Sequence, residues 1–303
     1  MKEFYLTATG GGRLHCCLWE PEGTPRGVVQ IVHGVAEYVE RYAHFAAFLT
    51  QNGFVVVGDD HTGHGKSAEG GTPGHFSGGW DEVVQDLRQL HEKVRAQYPA
   101  LPYFFYGHSM GSFLTRTYLY RYPDSGIRGA VLSGTAWHPK VELAAGQALC
   151  GLYRLLGCEK KKPKLVTRLM FGSYCRPFPG ERSPNAWICG DPEVVARYDR
   201  DPMCAYGPTV GMSSAMLHGL WMNETPKNLR KMNRELPVFF LAGDRDPVGA
   251  MGRGVRKSAA AFRAAGMQNV TCKLYPGGRH EMHNEKNQDE VFADVLAWLK
   301  QNM

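Results

Sequence analysis

The sequence predicts an α/β fold built on a mostly parallel sheet. Short valine-rich runs such as "GVVQIVHG" (27–34) and "FVVVGDD" (54–60) are mainly apolar and end in glycine or polar residues, as strands buried on both faces do. Between such runs lie segments whose apolar residues recur at helical spacing. The two patterns alternate along most of the chain, which is the signature of a parallel sheet flanked by helices.

Taken in order, "EFYLTAT", "GGG" and "LHCCLWEP" read as two strands joined by a glycine turn. Tyr42, Phe45, Ala46 and Leu49 mark a helix between the first two parallel strands, ended by Gly53. Val83, Val84, Leu87, Leu90 and Val94 mark a second helix, closed by Pro99. "PYFFYG" (102–107), "GAVLSG" (129–134), "PVFFLAG" (237–243) and "VTCKLYPG" (270–277) are four further buried strands. Val291, Phe292, Val295, Leu296 and Leu299 form one stripe of a last helix over 288–301. The alternation breaks between 137 and 232, where a helical run, "VELAAGQALCGLYRLLG", stands and no clear buried strand does. The expected organisation is a core of 1–136 and 233–303, with 137–232 inserted as a helical cap.

A chain of 303 residues, 43% hydrophobic, suffices for one large domain carrying an insertion. No repeat or low-complexity stretch interrupts it. Its first residues hold no apolar stretch long enough for a signal peptide, and no run approaches the ~18 apolar residues of a membrane span. The eight cysteines include no CxxC pair and read as reduced thiols of a cytoplasmic protein. The net charge of +6 arises wholly within 137–232, where 14 Lys+Arg face 8 Asp+Glu, and it is densest at "EKKKPK" (159–164). No aromatic-interleaved basic stripe accompanies it, which argues against nucleic acid as a partner. A solvated face accounts for the surplus, as does attraction to anionic head groups.

The chemistry centres on "YFFYGHSMGSFL" (103–114), where a strand meets a helical segment with Phe113, Leu114, Thr117 and Tyr118 on one face. Ser109 stands at the turn between two glycines. Such a turn lifts the hydroxyl above the strand end and aims helix N–H groups at the place where an oxyanion forms. Gly107 and Gly111 are needed there because side chains would strike neighbouring backbone. A serine hydroxyl needs a base, and the base an orienting acid. Both are expected after Ser109, acid first. "PVFFLAGDRDPVG" offers Asp244 and Asp246; "LYPGGRHEMHNE" offers His280 and His283.

Together, "HGVAEYVERY" (33–42), "DDHTGHGKS" (59–67), "GHSMG" (107–111), "DPEVVARYDRDPM" (191–203), "GDRD" (243–246) and "GGRHEMHNE" (277–285) resemble the α/β-hydrolase superfamily, in its monoacylglycerol lipase and lysophospholipase branch. The resemblance spans nearly the whole chain. It implies Asp246 rather than Asp244 as the acid and His280 rather than His283 as the base, leaving His283 a surface or helix-start residue. It implies an oxyanion hole of two backbone N–H groups, Met110 and Val35. Gly34 then allows close approach, and His33 braces the loop rather than moving a proton. It further implies a serine hydrolase of single-chain lipid esters that needs no cofactor and whose cap touches a membrane surface transiently. Leu149, Leu152, Tyr153, Leu155 and Leu156 of the cap then line an acyl tunnel, rest on lipid or pack onto the core. Two rivals share the fold: a proline-releasing aminopeptidase, which needs acidic cap residues for an α-amine, and a non-catalytic ligand-binding receptor.

Two motifs are set aside. "GHGKS" (63–67) lacks the phosphate loop's glycine five residues before Gly65, where Asp60 stands. "HEMH" (280–283) spaces its histidines three apart, not the four that aim both at one zinc from a helix, so no metal is expected.

Overall fold

A computed structural model describes residues 1–303. Eight strands form one sheet: β1 (Lys2–Thr7), β2 (Arg13–Trp19), β3 (Gly27–Val32), β4 (Phe54–Asp59), β5 (Tyr103–His108), β6 (Gly129–Ser133), β7 (Val238–Gly243) and β8 (Val270–Tyr275). Their spatial order is β1-β2-β4-β3-β5-β6-β7-β8. β2 pairs antiparallel with β1 and β4, and every other pairing is parallel. The hairpin turns where Gly11 and Gly12 both take positive φ, as the glycine run predicts.

Helices cover both faces. α1 (Ala43–Gln51) and α10 (Gln288–Gln301) lie on one; α2 (Trp80–Gln97), α3 (Met110–Arg121) and α9 (Arg253–Ala264) lie on the other. Strand residues alternate between the two. Val28 and Val32 of β3 and Phe105 of β5 join the α2–α3 side, while Val29, Ile31, Phe104 and Tyr106 join the α1–α10 side. This explains why β3 to β7 read as mainly apolar runs: every residue in them is buried, and Gln30, the polar residue inside β3, donates to the Leu87 carbonyl and accepts from the Tyr103 hydroxyl. β8 departs from the expectation of full burial. It is the sheet's edge, is mostly half-buried, and carries Thr271 and Lys273, the latter ion-paired to Glu290 and Asp294. A charged residue on an edge strand also discourages pairing with another chain.

Between β6 and β7 run five helices and no strand: α4 (Lys140–Leu155), α5 (Lys164–Phe171), α6 (Pro192–Arg200), α7 (Val210–Asn223) and α8 (Pro226–Leu229). α3 is more buried than a one-faced helix, because α7 packs on the side that the sheet leaves open. Its Arg116 is 1% exposed and donates to the carbonyls of Ala136 and Asn223, at the two ends of this excursion. Glu224 accepts from the His138 N–H at 2.7 Å across the same junction. All eight cysteines are unpaired. No helix is long and apolar enough to cross a membrane.

Candidate active site

Ser109 joins β5 to α3 with φ 52° and ψ −121°, a conformation an L-residue adopts only under constraint. The constraint is visible on both sides. A Cβ on Gly107 would stand 2.4 Å from Thr115 Oγ1, and one on Gly111 1.9 Å from the Val32 carbonyl oxygen. Neither tolerates a side chain, as the sequence predicts. The Ser109 N–H donates to the Ser133 carbonyl at 2.9 Å, tying the turn to the end of β6. Met110 is the first helical residue, so its N–H has no carbonyl one turn back to bond.

Asp246 and His280 come from the loops after β7 and β8, and the structure brings them together. His280 Nδ1 lies 2.9 Å from Asp246 Oδ2, while Asp246 Oδ1 accepts from the Val248 N–H at 2.9 Å. With Nδ1 donating to the carboxylate, the Nε2 lone pair is free to take a proton, and Nε2 has no partner within the fold. Burial pushes the His280 pKa down, but the charge and hydrogen bond of Asp246 outweigh it and raise it above the ordinary value. The ring rests on Gly134, where a Cβ would come within 2.9 Å of Cε1, and Gly134 directly follows the Ser133 that receives the Ser109 bond. The His108 ring, next to Ser109 in sequence, lies 4.7 Å from it, and the Trp187 ring lies 5.1 Å away. Asp244, the other candidate acid, is exposed and accepts from the Gly277 N–H.

The loop after β3 closes the site. A Cβ on Gly34 would lie 3.0 Å from Ser109 Cβ, which brings the backbone leading to Val35 alongside the serine. His33 braces this loop: Nδ1 donates to the Gly34 carbonyl at 2.7 Å and Nε2 accepts from the His61 N–H at 3.0 Å. The ring stacks on His61, and burial, followed by the nearby His61 and His64, holds it far below its usual pKa and hence neutral.

Two residues of this loop escape the sequence reading. Glu37 accepts from the Gly34 N–H at 2.5 Å and from the Tyr42 hydroxyl at 2.9 Å. Arg41 bridges Glu37 and Glu281, the residue after His280, with a bidentate bond to the latter. Burial pushes Glu281 up, but the Arg41 charge carries it below its ordinary value. One ion triad thus locks the loop beside Ser109 to the loop bearing His280. The available signal is the four-residue spacing of Glu37 and Arg41 inside "HGVAEYVERY".

The expectation of a surface or helix-start His283 is overturned. It is fully buried, stacks on Tyr42 at 4.3 Å and lies 4.9 Å from His108. Burial holds it well below its usual pKa, so it fills space as a neutral ring. "GHGKS" forms a structural turn in which Lys66 donates its N–H to Asp60 and pairs through Nζ with Glu3 and Glu40. His15, Cys17 and Glu40 also converge there, but Lys66 already supplies the cation to Glu40, and Asp60 and Glu3 flank both His15 nitrogens.

Residues 23–287 match the family model described as "Serine aminopeptidase, S33", a Hydrolase_4 family. The chain belongs to this serine hydrolase family. Within the curated relatives of this hydrolase, a monoacylglycerol lipase of Mycolicibacterium smegmatis is 32% identical over 98% of this chain and 96% of its own. The human monoglyceride lipase is 25% identical over 98% of this chain and 90% of its own. A highly thermostable carboxyl esterase from Bacillus coagulans, solved in complex with glycerol, superposes with a TM-score of 0.93 at 30% identity, covering 99% of this chain and 98% of that one. The hydrolase is therefore an α/β-hydrolase of the monoacylglycerol lipase-like kind and a carboxylic-ester hydrolase.

Proposed function

We infer that the protein cleaves single-chain lipid esters, of the monoacylglycerol or lysophospholipid type, through an acyl-enzyme on Ser109. The observation that carries this reading is the buried Asp246–His280 pair, its Nε2 free, packed against the residue that follows Ser133. In the reaction, His280 Nε2 takes the Ser109 hydroxyl proton as the oxygen attacks the ester carbonyl. The N–H groups of Met110 and Val35 hold the developing oxyanion. The imidazolium gives its proton to the leaving alcohol, and water, deprotonated by the same nitrogen, releases the acid. Asp246 fixes the tautomer and steadies the positive ring.

Residues 137–232 form the cap in this reading. Leu149 and Tyr153 pack on Cys150, Val166 and Val210 inside it. Val141, Leu152, Leu155, Leu156, Leu165 and Leu169 point outward, with Leu155 87% exposed, among Arg154, Arg168 and the lysines at 160–162 and 164. Exposed leucines on a segment rich in cations suit an anionic lipid surface, from which a monoester substrate would be drawn. The unpaired thiols support a reducing, cytoplasmic setting.

The name of the matched family raises the aminopeptidase reading, which needs a free carboxylate for the substrate's amine. The buried carboxylates around the site are already engaged: Glu37 and Glu281 by Arg41, Asp246 by His280. Acetyl, octanoyl and longer acyl esters, lysophospholipids and prolyl arylamides run on wild type and Ser109→Ala test the reading. The expected result is Ser109-dependent cleavage that favours longer acyl esters over acetate. Faster arylamide turnover, or a wild type that a fluorophosphonate fails to label, would overturn it.

A further inference from the structure

The loop that carries His280 is held not only by the core but by a short stretch of the excursion between β6 and β7. The Glu281 N–H donates to the Ile188 carbonyl at 2.7 Å. The Arg279 guanidinium donates to the carbonyls of Ala186 and Cys189. Glu285 Oε1 accepts from both the Gly190 N–H and the Arg279 N–H, at 2.7 and 2.8 Å, and so clasps the two segments together. Cys189 Sγ donates to the Asn284 carbonyl at 3.2 Å. Residues 186–190 are thus laced along 279–285, with Trp187 in the middle of the lacing.

Trp187 is 9% exposed, and its ring stands 5.1 Å from the His280 ring and 5.0 Å from that of Tyr174. Asp246 holds one nitrogen of His280, but a single hydrogen bond leaves the ring free to rock about the bond. Against the ring also lie Gly134, which offers no side chain, the ring of His108, and Trp187.

We propose that Trp187 is a positioning residue for His280: its indole, anchored by the 186–190 segment, stops the imidazole from tilting away from Ser109. The inference rests on the reading of Ser109 and His280 as nucleophile and base. It assigns one stretch of the excursion to the catalytic scaffold, rigid with the core, whereas the outward leucines of α4 and α5 face the substrate's source.

The test measures the rate at which a small fluorophosphonate labels Ser109, since this reagent needs an aligned His280 but does not read the acyl pocket. Trp187→Ala is expected to slow labelling on the order of tenfold, because small misplacements of reacting groups are costly. Trp187→Phe should restore most of the rate. Glu285→Ala, which loosens the lacing without touching the imidazole, should slow labelling too, and Glu285→Gln, which keeps an acceptor oxygen, should not. In steady state, Trp187→Ala should lower kcat by one factor for short and long acyl esters alike, with KM unchanged. Unchanged labelling in both alanine variants would overturn the proposal. So would a loss that grows with acyl length, which would make Trp187 a wall of the substrate pocket. A wild type that does not label at all would instead sink the assignment of Ser109 itself.

Discussion

Gly34 approaches Ser109 so closely that a Cβ on it would stand 3.0 Å from the serine's own Cβ and 2.6 Å from Glu37 Oε1. The contact explains why a loop 75 residues upstream, counted from the two residue numbers, belongs to the serine's surroundings. Gly34→Ala forces either the loop or Glu37 to move, and with it the Val35 N–H. Losing one oxyanion donor typically costs on the order of 10²–10³ in rate. Steady-state kinetics should show kcat/KM reduced by about that factor with thermal stability changed little by comparison.

In the proposed mechanism the Asp246–His280 pair sets the acid limb of the pH profile. His280 must be neutral to act as base, and Asp246 raises its pKa above 6.5. Activity should therefore fall as the pH drops through a value above that of free imidazole. Asp246→Asn removes the raising charge, leaving burial to pull the pKa down. The limb should move to lower pH while the plateau drops on the order of 10³–10⁴-fold. A kcat/KM profile of both proteins across pH 5–9 checks both shifts.

Glu224 governs stability with the opposite sign to a paired carboxylate. Burial, offset in part by the His138 N–H and by Arg116, Lys257 and Lys140, raises its pKa from 4.5 to about 7. The folded state keeps this proton where the unfolded chain has lost it, so stability falls as pH rises from about 4.5 to about 7 and is level beyond. Glu224→Gln keeps an oxygen for the His138 N–H and removes the penalty. At pH 8 it should be more stable than wild type by up to about 3 kcal/mol, and at pH 4 nearly equal. Urea unfolding at the two pH values reads the difference.

Leu155 and Leu156 test the proposed lipid-facing surface. They are 87% and 68% exposed, so serines there cost little folding stability. The double variant should lose co-sedimentation with vesicles containing anionic lipid while keeping wild-type turnover of a soluble short-chain ester. Raised salt should weaken wild-type binding in the same assay, since screening removes the contribution of the lysines.

The sheet was legible wherever burial on both faces erased the polar half of the strand pattern, as in β3 to β7. The same cue misjudged β8, because Lys273 and Thr271 sit where an edge strand meets water. Ser109 could be singled out from its glycines, but Asp246 and His280 needed a family pattern to separate them from Asp244 and His283. Burial separates Asp246 from the exposed Asp244, but His280 and His283 are both buried, and what separates those two is a hydrogen bond to Asp246 across 34 residues, which no local periodicity encodes. Glu37 and Arg41 show their helical spacing, but the partner that gives Arg41 its role, Glu281, lies 240 residues away. Trp187 had no signal at all, since its neighbour His280 is met only in three dimensions.

Arg116 and Glu224 fasten the two ends of the excursion to each other at the helix that follows the serine. A long detour whose start and finish share one fastening returns the chain to the place where it left the sheet, so β7 re-enters beside β6. The length of the outer helices α4 and α5 is therefore uncoupled from strand register, whereas 186–190 lacks that freedom because it is laced to the loop of His280.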